Sequence, residues 1–319
     1  MYRAAFRALE PYLFRGPGEF DPSTRGVYSS ASSLPLPSPS TVVGALATIY
    51  EYVDTKSIDW DRAYSMILKA KVRGPYLRVG PAVYVEDRVD GMFIQLSDIK
   101  KYSQFKKRLL SGEEDSEKKV WKICSVFVPK KIMMTGIGLM TRTEMRKIAD
   151  EEKGLIYTTT LIDYLFDPKF TDVMIELDII SEKIEVGRYL VRLGGEGKGS
   201  LLEISKADEY ICKIPEIANL LYVLSPILYE TGSDFVEQLK SEMSDAGDMR
   251  ICGKIGLLGA GYSNVRRKRK PIYQALLPGS VIFLEKNIEG RKIYEEGIGI
   301  GRELGFGSVI PVEGDEGWM

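Results

Sequence analysis

Five glycines crowd the segment G-I-G-I-G-R-E-L-G-F-G-S, at Gly297, Gly299, Gly301, Gly305 and Gly307. Lacking a Cβ, such a stretch can run through φ > 0 and let another backbone, or a phosphate, come close. Its place in the chain limits the fold it can serve. A dinucleotide-binding unit needs a helix and a second strand after its glycines, and an acidic residue about twenty positions on. Too few residues follow Ser308 for that, and the spacing departs from G-x-G-x-x-G. Two readings stay open. One is a tight hairpin in a β-rich domain; the other is a loop between late strands, carrying Arg302, that grips a phosphodiester backbone.

With 319 residues, 44% of them hydrophobic, the chain can bury two cores. Its formal net charge of -1 means that attraction to nucleic acid or membrane has to be local. There is no histidine, which removes Ser-His-Asp and Cys-His nucleophilic sites, histidine-assisted RNA cleavage and nearly every zinc site. Cys124, Cys212 and Cys252 are odd in number and far apart, as reduced thiols of a cytoplasmic protein would be. The N-terminal residues lack a basic-then-apolar signal. The most apolar later stretch, Ile217 to Tyr229, is too short to span a bilayer and contains Pro226. A soluble, cytoplasmic protein is expected. The carboxylates of Glu295-Glu296 and Asp315-Glu316 are sequence neighbours that point apart, and neither a metal site nor a cofactor is expected.

Tyr2 to Phe14 reads as an opening strand. Prolines 35, 37 and 39 then hold the chain extended into a helix from about Pro39 to Val53, with Ser38 as its N-cap. A second helix, from Asp59 to Leu68, is expected to end at Arg73-Gly74-Pro75. Strands follow at Tyr76–Glu86 and Met92–Leu96, hinged at Asp90-Gly91. Thr135 to Tyr157 suggests a projecting hairpin arm. Val173, Ile175, Leu177 and Ile179 alternate cleanly as a strand. Gly187 to Leu202 reads as a hairpin tipped by G-G-E-G-K-G, and Ala207 to Tyr229 as a helical region broken by two prolines. This order predicts two α+β units with a boundary near residue 180, spanning 1–180 and 181–319.

Several segments could hold RNA, each with a plainer structural reading. Arg266, Arg267, Lys268, Arg269 and Lys270 form the densest positive run, either a phosphate contact or a solvated loop. Ser38, Ser40 and Thr41 sit where a helix start offers free N–H groups to an anion, or where ordinary capping needs hydroxyls. Gly195, Gly197 and Lys198 sit in a turn that is either a phosphate grip or a plain hairpin. Lys100, Lys101, Lys106, Lys107 and Arg108 read as an exposed helix face. Tyr12, Phe14, Tyr76 and Tyr84 are expected in the core, with base stacking as the alternative.

In order, the motifs L-P-L-P-S-P-S-T-V-V-G-A-L (34–46), R-G-P-Y-L (73–77), G-I-G-L with G-L-I-Y (136–157), R-L-G-G-E-G (192–197), L-S-P-I-L (224–228), L-L-P-G-S-V-I-F (276–283) and the terminal glycine loop resemble one family. It is that of the third subunit of the Cmr complex, the type III-B CRISPR effector of antiviral defense, within the RAMP superfamily of RNA-binding proteins. The resemblance implies two ferredoxin-like (RRM-related) domains with a projecting β-hairpin arm at about 135–157. It implies a non-catalytic role, holding the 5′ tag of the CRISPR RNA (crRNA) beside the large polymerase-like subunit and the backbone RAMP subunit. It also makes Ser38, Ser40, Thr41, Arg142, Gly195, Gly197, Lys198, Gly299, Gly301, Arg302, Gly305 and Gly307 expected RNA contacts, beside the basic run. Alternatives are a RAMP endoribonuclease that processes CRISPR RNA, the equivalent tag-binding subunit of a type III-A complex, or a scaffold that binds no RNA. R-L-G-G-E-G favours type III-B.

Overall fold

A computed structural model describes residues 1–16, 30–49, 69–89, 91–113, 120–137, 156–165, 172–259, 262–263, 268–269 and 271–314. The first half holds β1 (Tyr2–Ala8), β2 (Ser30–Ser32), α1 (Pro39–Ala47), β3 (Lys71–Val79), β4 (Ala82–Asp87), β5 (Met92–Gln95), α2 (Ile99–Ser111), β6 (Val126–Phe127), β7 (Lys130–Ile137), β8 (Ile156–Asp163) and β9 (Val173–Ile180). After it come β10 (Gly187–Arg192), β11 (Gly199–Lys206), β12 (Ile217–Val223), β13 (Ile227–Tyr229), α3 (Phe235–Glu242), β14 (Met249–Cys252) and β15 (Ile255–Gly259). The chain continues through β16 (Tyr262–Ser263), β17 (Lys268–Arg269), β18 (Ile272–Leu276), β19 (Val281–Glu289), α4 (Gly290–Glu296) and β20 (Val309–Val312). The protein is mixed α and β, and its sheets are mostly antiparallel.

One sheet runs β10-β11-β1-β9-β3-β4-β5-β6, and a second runs β14-β19-β12-β20. Strands β10 and β11 therefore lie beyond residue 180 yet pair into the first sheet. In β1, Tyr2, Ala4, Phe6 and Ala8 are buried in strict alternation, against α1 on one sheet face. Strand β9 is buried on both faces: Val173, Ile175, Leu177 and Ile179 enter that apolar core, and Glu176 and Asp178 face the other way.

The second sheet is apolar on both sides, with a period of two. Leu220, Tyr222, Val281, Phe283 and Ile310 join Tyr76, Val85, Ile94, Tyr102 and Phe105 in a core shared by the two sheets. Their strand neighbours Leu221, Val223, Ile282, Leu284 and Val309 turn to the opposite core, with Phe235 and Leu239 of α3. This explains why Ala207–Tyr229 is not helical: its apolar run is continuous because β12 is buried on both faces, and periodicity cannot tell that from a buried helix. Asp234 caps α3, accepting from Val236 N and Glu237 N at 2.9 and 3.0 Å.

Other expectations also change. Arg73-Gly74-Pro75 does not end a helix; it forms an irregularity inside β3, where register shifts between Arg73 and Tyr76. Proline, with no N–H to donate, suits that break in the ladder. The strand expected at Tyr76–Glu86 is two, because Gly80 turns at φ +56 between β3 and β4. Helix α1 starts at Pro39 as expected, whereas residues 50–68, with the expected second helix, lie outside the described residues. The base of the arm is seen as β7 paired with β8 from Lys130–Asp163 to Ile137–Ile156. Its tip, including Arg142, lies outside the described residues.

Candidate nucleic-acid interface

Arg73 organises the region around the terminal glycines. It is fully buried, and its guanidinium donates to Val72 O (2.6 Å), Tyr294 O (2.8 Å), Glu295 O (2.8 Å) and Arg302 O (2.8 Å). One planar cation thus takes up two carbonyls from the last turn of α4 and one from the glycine loop, fixing both against β3. Burial pushes its pKa down to about 10, which leaves it cationic at neutral pH. Sequence reasoning missed this role, since all four acceptors are backbone atoms and Arg302 is 229 positions away.

The loop follows α4 and leads into β20, so it links a short helix to a strand. All five of its glycines have positive φ, from +61° at Gly307 to +91° at Gly305. A Cβ on Gly307 would stand 1.7 Å from Ile298 O, and one on Gly299 would stand 2.7 Å from Leu228 O. The loop is not a nest of free N–H groups. From Gly297 to Ile300 and from Leu304 to Ser308, each N–H donates within the protein, for example Ile298 to Gly307 O, Gly307 to Pro226 O and Ser308 to Ser225 Oγ. Gly305 and Gly307 are therefore committed to the fold, and the tip Gly301–Arg302–Glu303 is where the loop meets solvent, with Arg302 and Glu303 exposed.

This loop sits against the start of α1. The Cβ position of Gly305 lies 3.6 Å from Pro39 Cβ and 3.1 Å from Val72 O. At the helix start, Ser38 does not cap with its side chain; its Oγ bonds Ser40 Oγ (3.1 Å) and Thr41 Oγ1 (2.9 Å), forming a half-buried hydroxyl cluster. Two of the predicted RNA-contact segments, remote in sequence, are thus neighbours.

The Gly194–Lys198 turn is held on a different segment. Gly195 N donates to Leu13 O at 2.7 Å, and a Cβ on Gly194 would meet that same oxygen at 2.6 Å. Gly197 takes φ +67 in the turn. Lys198 is not a free cation: its Nζ bonds Glu10 Oε2 at 3.1 Å with the side chain largely covered. The Gly199 N–H and this lysine together hold the Glu10 carboxyl below its usual range. Backbone bonds through Phe14 and Leu34 connect this turn to the segment entering α1.

The remaining candidates are dispersed. Arg266 and Arg267 lie outside the described residues, and Lys268 belongs to β17, paired with Ser263. Tyr12, Phe14 and Tyr76 are core residues, and Tyr84 packs on Phe127, so base stacking is not their role. Lys106 is buried over the Tyr102 ring at 5.0 Å rather than on an exposed face. Among the described residues no cluster of acidic or sulfur side chains could hold a metal, and no helix is long and apolar enough to cross a membrane.

No family model matches the chain. Its fold is shared with solved structures. A chain in the cryo-EM structure of the type III-B Cmr-beta complex bound to cognate target RNA aligns over 88% of this chain and 86% of its own, with a TM-score of 0.57 and 20% identity. The same complex with cognate target RNA and AMPPnP gives a TM-score of 0.55 at 19% identity over the same shares. The particular relative is the CRISPR system CMR subunit Cmr3 of Saccharolobus solfataricus, 26% identical over 305 residues and 90% of each chain. The chain thus resembles the Cmr3 subunit of a Cmr complex along nearly its whole length, as its motifs suggest.

Proposed function

We propose that this protein is a non-catalytic subunit of a type III-B CRISPR effector that holds the 5′ tag of the crRNA. The observation that carries this reading is the junction built by Arg73, which holds the terminal glycine loop so that Gly305 packs on Pro39 at the start of α1, where Ser38, Ser40 and Thr41 cluster. Both segments belong to the motif set shared with the family, and together they offer Arg302, three hydroxyls and a helix start to one stretch of backbone. Ser38, Ser40, Thr41, Gly301 and Arg302 are the primary contacts in this reading. Gly195, Gly197, Arg142 and Arg266–Lys268 are further contacts along the strand, with Lys198 joining them on release from Glu10.

Both sheets are read as ferredoxin-like units. The order β20-β12-β19-β14, with α3 and α4 as its crossovers, follows the β-α-β-β-α-β plan, and β11-β1-β9-β3 repeats that strand order with α1 as its first crossover. The lack of histidine supports a binding rather than a cleaving role. In the assembly the protein would meet the large polymerase-like subunit and the backbone RAMP subunit, in the cytoplasm.

The test is to isolate the protein from its host and sequence the RNA and proteins that accompany it. RNAs sharing one 5′ tag, with a large polymerase-like subunit, are expected. Uncut repeat precursors would replace this reading with an endoribonuclease, and absence of RNA would leave a scaffold.

A further inference from the structure

Glu242 is the last residue of α3, where the helix dipole disfavours an acid. It is nevertheless surrounded by donors. Gly299 N–H reaches both carboxylate oxygens, at 3.2 and 3.0 Å, Arg302 Nη1 lies 3.1 Å from Oε1, and the Tyr229 hydroxyl donates to Oε2. A backbone N–H at a positive-φ glycine, a guanidinium and a hydroxyl are the donor set that proteins use to hold a phosphate oxygen.

The backbone part of this set is held independently of Glu242. Tyr229 is buried against Phe235 at 5.1 Å between ring centres. Gly299 is held between Ile298 N, which bonds Gly307 O, and Ile300 N, which bonds Leu228 O. Glu242 and Arg302, by contrast, have side chains 29% and 51% exposed, on flexible stems that can turn into solvent.

We propose that Gly299 N–H, Arg302 and Tyr229 form a phosphodiester site which the Glu242 carboxylate fills in the RNA-free protein and leaves when RNA binds. The inference rests on the RNA-binding reading and adds a regulatory contact to it. A site that must first release its own carboxylate binds more weakly than an empty one. Part of the counterion release from RNA is also cancelled, because the expelled Glu242 gathers a cation.

The test measures binding of a short single-stranded RNA carrying the 5′ tag to the full chain across a salt series. It compares wild type, Glu242→Gln, Glu242→Ala and Glu242→Ala combined with Arg302→Ala, each checked for a native melting curve. Both single variants are expected to bind about threefold to tenfold tighter than wild type. Their log-affinity against log-salt slope should steepen by about 0.7, the worth of one more uncompensated phosphate contact. Adding Arg302→Ala should abolish the gain. If Glu242→Ala does not keep a native melting curve, Glu242→Gln, which retains the shape, carries the test. Unchanged or weaker binding by the folded single variants, with wild type binding RNA, would overturn the proposal and make Glu242 a strut for the loop. No binding by any protein would overturn the RNA reading together with it.

Discussion

Replacing Arg73 by alanine should loosen the junction between the glycine loop, α4 and β3 in one step. The guanidinium serves four carbonyls, and its bonds to Val72 and Tyr294 are buried whereas those to Glu295 and Arg302 are partly open. A buried acceptor left without a donor costs about 1–3 kcal/mol, and the two partly open ones can recruit water. The loss is therefore about 4 kcal/mol. Unfolding entropy of about 2.1 cal/mol/K per residue makes this a fall in Tm of about 6 °C for a chain of 319 residues. Calorimetry measures the shift, and hydrogen exchange locates it: amides from Gly297 to Ser308 should lose protection before those of β1 or β9. Arg73→Lys should recover only part of the loss, since an ammonium cannot span four acceptors in one plane. A Tm within 1 °C of wild type, or unchanged exchange in the loop, would refute the argument that Arg73 holds it.

Gly307→Ala should cost about 3 kcal/mol or more, from strain at positive φ plus a Cβ thrust against Ile298 O. Gly91→Ala, at φ +72 but with open space around the Cβ, should cost only about 1 kcal/mol, and chemical denaturation of the two variants would expose any error in separating strain from clash. Asp178 is buried beside Tyr294 and Ile211, and burial raises its carboxyl pKa above the ordinary value despite bonds from Tyr294 Oη (2.6 Å) and Ile211 N (2.9 Å). Its protonated form is thus favoured by folding: that stability is present below pH 3.8 and is lost as pH rises through the elevated folded value. Asp178→Asn should flatten this part of the profile of Tm against pH, and a wild-type slope in the variant would assign the dependence to another group.

Much of the fold is legible where a local rule acts alone. The alternation in β9, the proline at the start of α1 and the R-L-G-G-E-G hairpin follow from side-chain period or from φ preference, which neighbouring residues suffice to set. The helix expected across Ala207–Tyr229 fails for a tertiary reason. Two cores, one on each face, need apolar residues at each position from Leu220 to Val223 of β12, and this erases the alternation that marks a strand. The pairing of the β10–β11 hairpin with β1 is likewise not legible, because a hairpin reads locally while its partner strand is remote.

Glycine composition by itself determined that the segment after α4 would run through left-handed conformations, since residues with a Cβ seldom adopt them. It also determined, by the absence of histidine, the chemistry unavailable to this chain. Only the tertiary structure decided which way the loop's N–H groups point, that Lys198 and Glu10 satisfy each other, and that Arg73 and Glu242 meet the glycine loop from opposite elements. Hydrogen bonds between groups more than fifty positions apart leave no periodic trace in a sequence; they exist only once the fold has brought the groups together and fixed their geometry, so that a bond within the protein replaces one to water.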